Sequence, residues 1–147
     1  MPVSRSHAPR VLLAEDSPAC QEFVRIVMKQ SGLDLDIVSN GVEAIEALAK
    51  SDYALALMDC LMPVMGGAET TRLIRSGTTN ARNPKIPIIA ITANAFQTNA
   101  ETCKLAGMND YITKPVSAAA LREAVQKWLA TESQFDEADS TSRTICA

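Results

Sequence analysis

The chain has 147 residues, of which 47% are hydrophobic and 21% charged, a composition that fits one globular domain with a substantial core. Its formal net charge of -3 at pH 7 gives no basic surface, so we expect no binding to nucleic acid. The opening MPVSRSHAPR lacks the apolar segment of a signal peptide, and no run reaches the ~18 apolar residues of a membrane span, so we expect no membrane association and a cytoplasmic location.

Short apolar runs recur along the chain and alternate with amphipathic stretches. The runs are RVLLAED, LDIVS, YALALMD, IPIIAIT and DYIT, which start at residues 10, 35, 53, 86 and 110. The first, third and fourth lack the strict alternation of a half-exposed strand, which is typical of parallel strands covered on both faces. The sequence therefore predicts five parallel strands, each followed by a helix.

The stretches between these runs carry start signals and apolar faces of helices. In SPACQEFVRIVMKQSG, Ser17 is the expected N-cap and Pro18 the first helical residue, with the end near Gly32. Asn40, with Glu43 three positions later, predicts the cap of the second helix. We expect the first and last helices to pack an apolar face on the sheet. The residues of these faces are Cys20, Phe23, Val24, Val27 and Met28 in the first helix and Leu121, Ala124, Val125, Trp128 and Leu129 in the last.

Such alternation predicts an α/β fold with right-handed crossovers. At this size we expect a flavodoxin-like (βα)5 three-layer sandwich whose parallel sheet has the strand order 2-1-3-4-5. Ligands of open sheets bind outside the carboxyl ends of the strands, so polar residues at those ends should converge. The residues expected there are Glu15, Asp16, Asp59, Thr92 and Lys114.

The expected cluster combines three carboxylates with one lysine. Carboxylates that crowd together repel one another unless a cation lies among them, and a donor set made of oxygens alone favours a hard ion, with Mg²⁺ as the best candidate. Such a site leaves room for a phosphoryl group, whose oxygens Lys114 and the Thr92 hydroxyl can contact. Asp59 is then the expected nucleophile, and an aspartyl phosphate is the expected product.

Four segments resemble the signature of the receiver domain of two-component response regulators. They are LLAEDS, LMDCLMPVMGG, IIAITANA and GMNDYITKPV, and they follow the family's order within residues 8–130, which we expect to form the domain. The second and fourth are most similar to receivers of hybrid sensor histidine kinases. Residues 131–147 have no clear apolar period, and we expect a polar, disordered tail there.

The resemblance implies the chemistry of the site and its partners. It implies transfer of a phosphoryl group to Asp59 from a phosphohistidine, carried by a sensor histidine kinase or a histidine phosphotransfer protein. It implies Mg²⁺ held by Asp16, Asp59 and the backbone carbonyl of Leu61, with Glu15 assisting mainly through water. The domain is expected to be a phosphoacceptor signalling domain and not a turnover enzyme.

The resemblance also implies how the signal is passed on and how long it lasts. Thr92 and Tyr111 would form a switch pair that changes contacts with a downstream protein. Leu61 and Asn94 would flank the phosphoryl group and influence the approach of the hydrolytic water. The chain would act either as a single-domain regulator or as the receiver of a hybrid kinase, and the sequence leaves both possibilities open.

One position departs from the family pattern. Receivers usually carry an aspartate after the methionine that Met65 matches, whereas this chain has Gly66 followed by Gly67. Glycine caps a helix less well than aspartate, so the start of the third helix is expected to be less well ordered. The position is not a ligand of the metal or of the phosphoryl group, so the expected chemistry is unaffected.

Other functions could use some of the same residues. A haloacid-dehalogenase-type phosphatase needs a second acid two residues after its nucleophile, and here that residue is Leu61. A flavodoxin-like cofactor binder needs N–H groups and hydroxyls after strand 1, where this chain has acids. A docking module without phosphoryl chemistry stays open, since each acid alone is also typical of a solvated loop and Tyr111 alone of a half-buried strand aromatic.

The four cysteines are far apart in the sequence. Cys20, Cys60, Cys103 and Cys146 form no CxxC pair, which argues against a zinc site and against a disulfide framework. We expect free thiols that mainly serve packing.

Overall fold

The protein is described by a computed structural model that covers residues 9–93 and 104–140. Five strands and four helices lie within these ranges. The strands are β1 (Arg10–Ala14), β2 (Asp34–Val38), β3 (Leu55–Asp59), β4 (Ile88–Thr92) and β5 (Asp110–Thr113). The helices are α1 (Pro18–Gln30), α2 (Gly41–Lys50), α3 (Gly67–Ser76) and α4 (Ala118–Ser140).

The five strands form one parallel sheet in the order β2-β1-β3-β4-β5, as the sequence predicted. All residues of β3 and β4 are buried, and so are four of the five in β1. These three strands lie inside the sheet and are covered on both faces, which explains why their sequences do not alternate between apolar and polar residues. The edge strands β2 and β5 keep exposed positions.

The core divides into two layers, one on each face of the sheet. Val11 and Leu13 of β1 belong to a cluster that includes residues of α1 and α4. Leu12 and Ala14, which point to the opposite face, belong to a second cluster with residues of α2 and α3. The sheet is thus the middle layer of the predicted three-layer sandwich.

The first two helices begin as predicted. Ser17 caps α1 by accepting a hydrogen bond from the Cys20 N–H at 3.4 Å. Asn40 caps α2 by accepting one from the Glu43 N–H at 2.9 Å. The Glu43 carboxylate reaches back to the Ser39 N–H at 2.8 Å, one residue before the cap, so the reciprocal bond is shifted but present.

The other two helices differ in how they are bounded. Gly66 is the N-cap of α3 and provides no side-chain hydrogen bond, so the helix starts without the cap that an aspartate gives. The domain boundary predicted at residue 130 lies within α4, which continues to Ser140. Residues 141–147 lie outside the described part of the chain, and the division into 8–130 and 131–147 stays a prediction.

Residues 94–103, between β4 and β5, lie outside the described ranges. The helix predicted between these two strands falls mostly in this gap, and only its residues 104–106 are described, as helical. Asn94 and Cys103 fall in that gap, and Cys146 lies beyond the last described residue. Cys20 is a free thiol, as predicted, and Cys60 is half-buried. Among the described helices, none is both long enough and apolar enough to cross a membrane.

Candidate functional site

The carboxyl ends of β1, β3 and β5 bring three acids and one lysine together. Ala14 pairs with Met58 in the sheet, so Glu15, which follows β1, lies beside Asp59 at the end of β3. One carboxylate oxygen from each of Glu15, Asp16 and Asp59 lies within 4.8 Å of the others. The convergence predicted from the strand ends is therefore present for these residues.

Two of the acids are buried against the lysine. Glu15 is 0% exposed and Asp59 4%, whereas Asp16 is exposed. Lys114 Nζ lies 3.3 Å from Glu15 Oε1 and 3.3 Å from Asp59 Oδ2. Since an unpaired buried carboxylate costs several kcal/mol, this one ammonium group is the counterion for both.

Glu15 is held by hydrogen bonds on nearly every polar group. Its N–H donates to the Val38 carbonyl at 3.0 Å, and its Oε2 accepts from the Ser17 N–H at 3.0 Å. Its backbone carbonyl accepts from Gln21 Nε2 at 2.6 Å. Ser17 was predicted as a helix cap, whereas the role of Gln21 was not predicted. The available signal was a long polar side chain in the first turn of the helix that follows the acids.

The turn that follows Asp59 holds its carboxylate in place. The Leu61 N–H donates to Asp59 Oδ1 at 3.2 Å, and the Leu61 side chain is 77% exposed. Gly67, at the start of α3, lies so close that a Cβ there would overlap the Asp59 carbonyl oxygen. This close approach requires glycine at position 67, a requirement that the sequence did not reveal.

Burial and the neighbouring charges shift the pKa values of Asp59, Glu15 and Lys114. Burial, followed by the Glu15 carboxylate, raises the pKa of Asp59 to about 6. Burial also acts to raise the pKa of Glu15, but the Ser17 amide, the hydrogen bonds from neighbouring side chains and the Lys114 charge outweigh it and keep that pKa below its usual value. Burial acts to lower the pKa of Lys114, and the two carboxylates outweigh it and raise that pKa. The Lys114 charge thus favours the ionised form of both acids, against the burial that opposes it.

The donor set fits a hard divalent cation. Glu15 Oε1 is buried and accepts no hydrogen bond, although Lys114 lies near it, so this oxygen retains capacity for a ligand. All the candidate ligands among the described residues of this cluster are carboxylate oxygens, which Mg²⁺ prefers to nitrogen or sulfur. The cluster can therefore bind a metal ion.

Cys20 lies beside this cluster. Burial, followed by a hydrogen bond with Glu15, raises the pKa of the Cys20 thiol to about 12. Since the thiolate is the nucleophilic form of cysteine, this thiol is inert near neutral pH and acts as a packing group.

The two residues of the expected switch lie on neighbouring strands. Thr92 is buried at the end of β4 and pairs with Thr113 of β5. Tyr111, two residues before Thr113 and on the same face, is half-buried and packs against the cluster formed with α2 and α3. The switch role of this pair stays a prediction.

Comparison with known proteins identifies the family. The model of the response regulator receiver domain matches residues 11–126. The chain is 39% identical to histidine kinase 5 of Arabidopsis thaliana, over 86% of this chain and 16% of that protein. It is 35% identical to sensor protein GacS of Pseudomonas syringae pv. syringae, over 86% of this chain and 14% of that protein. The chain thus spans a small part of the length of these curated relatives.

Two solved structures resemble the fold and share part of the sequence. One is the receiver domain of sensor histidine kinase PA1611 from Pseudomonas aeruginosa PAO1, with a magnesium ion coordinated in its active site cleft. Its sequence is 36% identical to this chain and the TM-score is 0.75, and the match covers 84% of this chain and 98% of that chain. The other is the receiver domain of Ssk1 from Saccharomyces cerevisiae, in complex with the histidine phosphotransfer protein Ypd1. Its identity is 27% and its TM-score 0.75, over 86% of this chain and 92% of that chain.

Proposed function

This chain belongs to the response regulator receiver domain family, and we propose that it accepts a phosphoryl group on Asp59 in a two-component phosphorelay. The donor is a phosphohistidine on a sensor histidine kinase or on a histidine phosphotransfer protein. The curated relatives are histidine kinases, and the similar receiver domain of Ssk1 was crystallised with a phosphotransfer protein, which supports both kinds of donor. The role is the same for a single-domain regulator and for the receiver of a hybrid kinase, and we place it in the cytoplasm.

The observation that carries this proposal is the shared counterion of the buried acids. Lys114 Nζ is 3.3 Å from Asp59 Oδ2 and 3.3 Å from Glu15 Oε1, at the end of the sheet where open α/β folds bind ligands. A purely structural ion pair does not need a second buried acid or a third acid beside it. A phosphoryl group does need positive charge around it. The lysine provides one such charge, and the acids can hold a cation that provides more.

The proposed step uses the carboxylate of Asp59 as the nucleophile. One of its oxygens forms a bond to phosphorus while the bond from phosphorus to the histidine nitrogen breaks, and that nitrogen leaves with the electron pair. The Leu61 N–H and Lys114 Nζ hold the two oxygens of Asp59 in place before attack. Lys114 and the Thr92 hydroxyl then contact the transferred oxygens.

We propose Mg²⁺ as the metal of the site. Glu15, Asp16 and Asp59 would hold it, together with the backbone carbonyl of Leu61. When bound, Mg²⁺ neutralises charge on the phosphoryl oxygens. The similar receiver domain of PA1611, which contains magnesium in its active site cleft, supports this choice.

The output of the domain is a change in protein contacts. We propose that phosphorylation draws the Thr92 hydroxyl inward, that Tyr111 moves into the space vacated, and that the surface around β5 and α4 changes for a downstream protein. The aspartyl phosphate is then lost by slow hydrolysis within the domain.

A Thr92→Ala variant should be labelled on Asp59 but should bind its partner equally with and without beryllofluoride.

Labelling by a small phosphodonor tests the proposal directly. The parent should incorporate radiolabelled phosphate from acetyl phosphate when Mg²⁺ is present and should not when the metal is chelated. Asp59→Asn should incorporate none, because an amide oxygen is a far weaker nucleophile than a carboxylate. The control Asp34→Asn removes an exposed acid at the start of β2 and should label like the parent. A parent that takes up no label would instead favour the docking module without phosphoryl chemistry.

A further inference from the structure

The side chain of Gln21 makes a short hydrogen bond to the backbone beside the acid cluster. Its Nε2 donates to the Glu15 carbonyl oxygen at 2.6 Å, and its own N–H donates to the Ser17 carbonyl at 2.9 Å. The side-chain bond ties α1 back to the end of β1, and the backbone bond is the first of the helix. We infer that Gln21 is a positioning residue for the metal-binding acids, an inference that rests on the metal site of the proposed function.

The bond from Gln21 controls the peptide that joins the first two acids. The carbonyl of Glu15 and the N–H of Asp16 belong to one planar unit. The Glu15 N–H is already held by the Val38 carbonyl and its carboxylate by the Ser17 N–H. Once Gln21 fixes the carbonyl, the plane of the peptide is fixed as well, and with it the direction in which the chain continues to Asp16.

Asp16 depends on this peptide more than the other acids do. It is exposed, whereas Glu15 and Asp59 are buried and lie beside Lys114. Within the described part of the chain, its carboxylate makes no hydrogen bond and no ion pair. Its position relative to the other two carboxylates is therefore determined by the backbone on either side, and Gln21 holds the N-terminal side.

Without the amide of Gln21, the Glu15 carbonyl can bond to water, and the peptide can rotate. The fold keeps its core, because Gln21 is not part of either hydrophobic cluster. Asp16 loses its fixed position relative to the other two carboxylates, which matters for Mg²⁺ because this ion demands near-ideal octahedral geometry. Loss of an outer partner of a metal ligand typically weakens metal binding by ~10- to 100-fold, and we expect about tenfold here.

The test compares Gln21→Met with the parent and with Gln30→Met. Methionine matches glutamine in length and helix propensity, so the change removes little besides the amide. Gln30 is the exposed last residue of the same helix and provides the control. Mg²⁺ is titrated into each protein while the amide resonances of Glu15 and Asp16 are followed by NMR, and the melting temperature is measured in chelator.

We expect the Mg²⁺ dissociation constant of Gln21→Met to rise about tenfold and that of Gln30→Met to stay within about twofold of the parent. A structural role alone would lower the melting temperature in chelator and leave the dissociation constant unchanged, and that result overturns the inference. Gln21→Ala serves the same comparison if the methionine variant does not fold. If the parent binds Mg²⁺ and all variants bind it equally, only the role of Gln21 is wrong. A parent that binds no Mg²⁺ overturns the metal site of the proposed function as well.

Discussion

The loop between β3 and α3 contains a strained valine next to the proposed phosphorylation site. Val64 has φ 69°, and it is the only residue other than glycine with positive φ in the described ranges. The Met65 N–H donates to the Pro63 carbonyl at 2.7 Å and closes a three-residue γ-turn around Val64. A β-branched residue is poorly suited to this conformation, because its Cβ crowds the backbone. Replacing Val64 should therefore stabilise the protein.

The size of the effect follows from what the side chain does in the fold. Val64 is 79% exposed, so its removal sacrifices little buried apolar surface. A γ-turn with positive φ is strained for an L-residue, at a cost of roughly 1–3 kcal/mol, and asparagine lacks the second branch on Cβ that makes valine crowd the backbone. We expect Val64→Asn to raise the free energy of unfolding by about 1 kcal/mol. Val64→Gly should gain less, because glycine adds roughly 0.4–1 kcal/mol of conformational entropy to the unfolded chain.

Thermal melts in chelator measure the difference without interference from metal binding. For a domain of this size, 1 kcal/mol corresponds to a rise of about 3 °C in the melting temperature. Val42→Asn is the control, because Val42 is also exposed but has no positive φ. That variant should be neutral or destabilised. If Val64→Asn melts at or below the temperature of the parent, the strain assigned to this turn is wrong.

Four further substitutions concern the site and the helix that follows β3. Lys114→Ala should bind Mg²⁺ at least as tightly as the parent, because the three acids remain. It should be labelled by acetyl phosphate about 100-fold more slowly than the parent, and equal labelling rates would contradict the role of Lys114. Leu61→Gln should shorten the lifetime of phosphorylated Asp59, since a polar side chain can orient water and leucine cannot, whereas phosphate release as slow as in the parent would count against this. Thr71→Val should raise the free energy of unfolding by about 1 kcal/mol, because the buried Thr71 hydroxyl has no hydrogen-bond partner in the described structure. Thr70→Val should lower the free energy of unfolding, because the Thr70 hydroxyl donates to the Gly66 carbonyl at 2.7 Å. Denaturant unfolding of both threonine variants measures these changes, and a Thr70 variant more stable than the Thr71 variant would contradict the reasoning.

The sequence predicted which acids meet at this edge of the sheet, because topology alone brings strand ends together. Once five parallel strands are identified, the order of the sheet makes Glu15 and Asp59 neighbours, whatever the surrounding side chains are. Their charge also makes them visible, since apolar runs that end in acids are uncommon in a buried sheet. The burial of Glu15 beside Lys114 is a consequence of that topology.

The hydrogen bonds that hold the loops at the two ends of the sheet could not be predicted in the same way. Gln21 donates to one backbone carbonyl and Arg75 to two, and carbonyls leave no signal in the sequence. Arg75 donates to the carbonyl oxygens of Gly107 and Pro84, at 2.8 and 2.6 Å, and to Asn109 Oδ1 at 2.9 Å. These acceptors lie up to 34 residues away, and the positive charge of Arg75 alone indicates only a solvated helix end.

The two glycines after Met65 show how the strained turn and the site depend on each other. A Cβ at Gly66 would lie 2.9 Å from the Cys60 carbonyl oxygen, and one at Gly67 would overlap the carbonyl of Asp59. The Gly67 N–H uses this closeness to donate to the Cys60 carbonyl at 3.1 Å. The start of α3 therefore rests on the backbone at the end of β3, and the seven residues between them must reverse direction in a short space. The positive φ of Val64 belongs to that reversal, which also turns the Leu61 N–H toward Asp59. An aspartate at position 66 would add a cap only if the loop moved away from Cys60, so glycine is the residue that fits this tighter form of the turn.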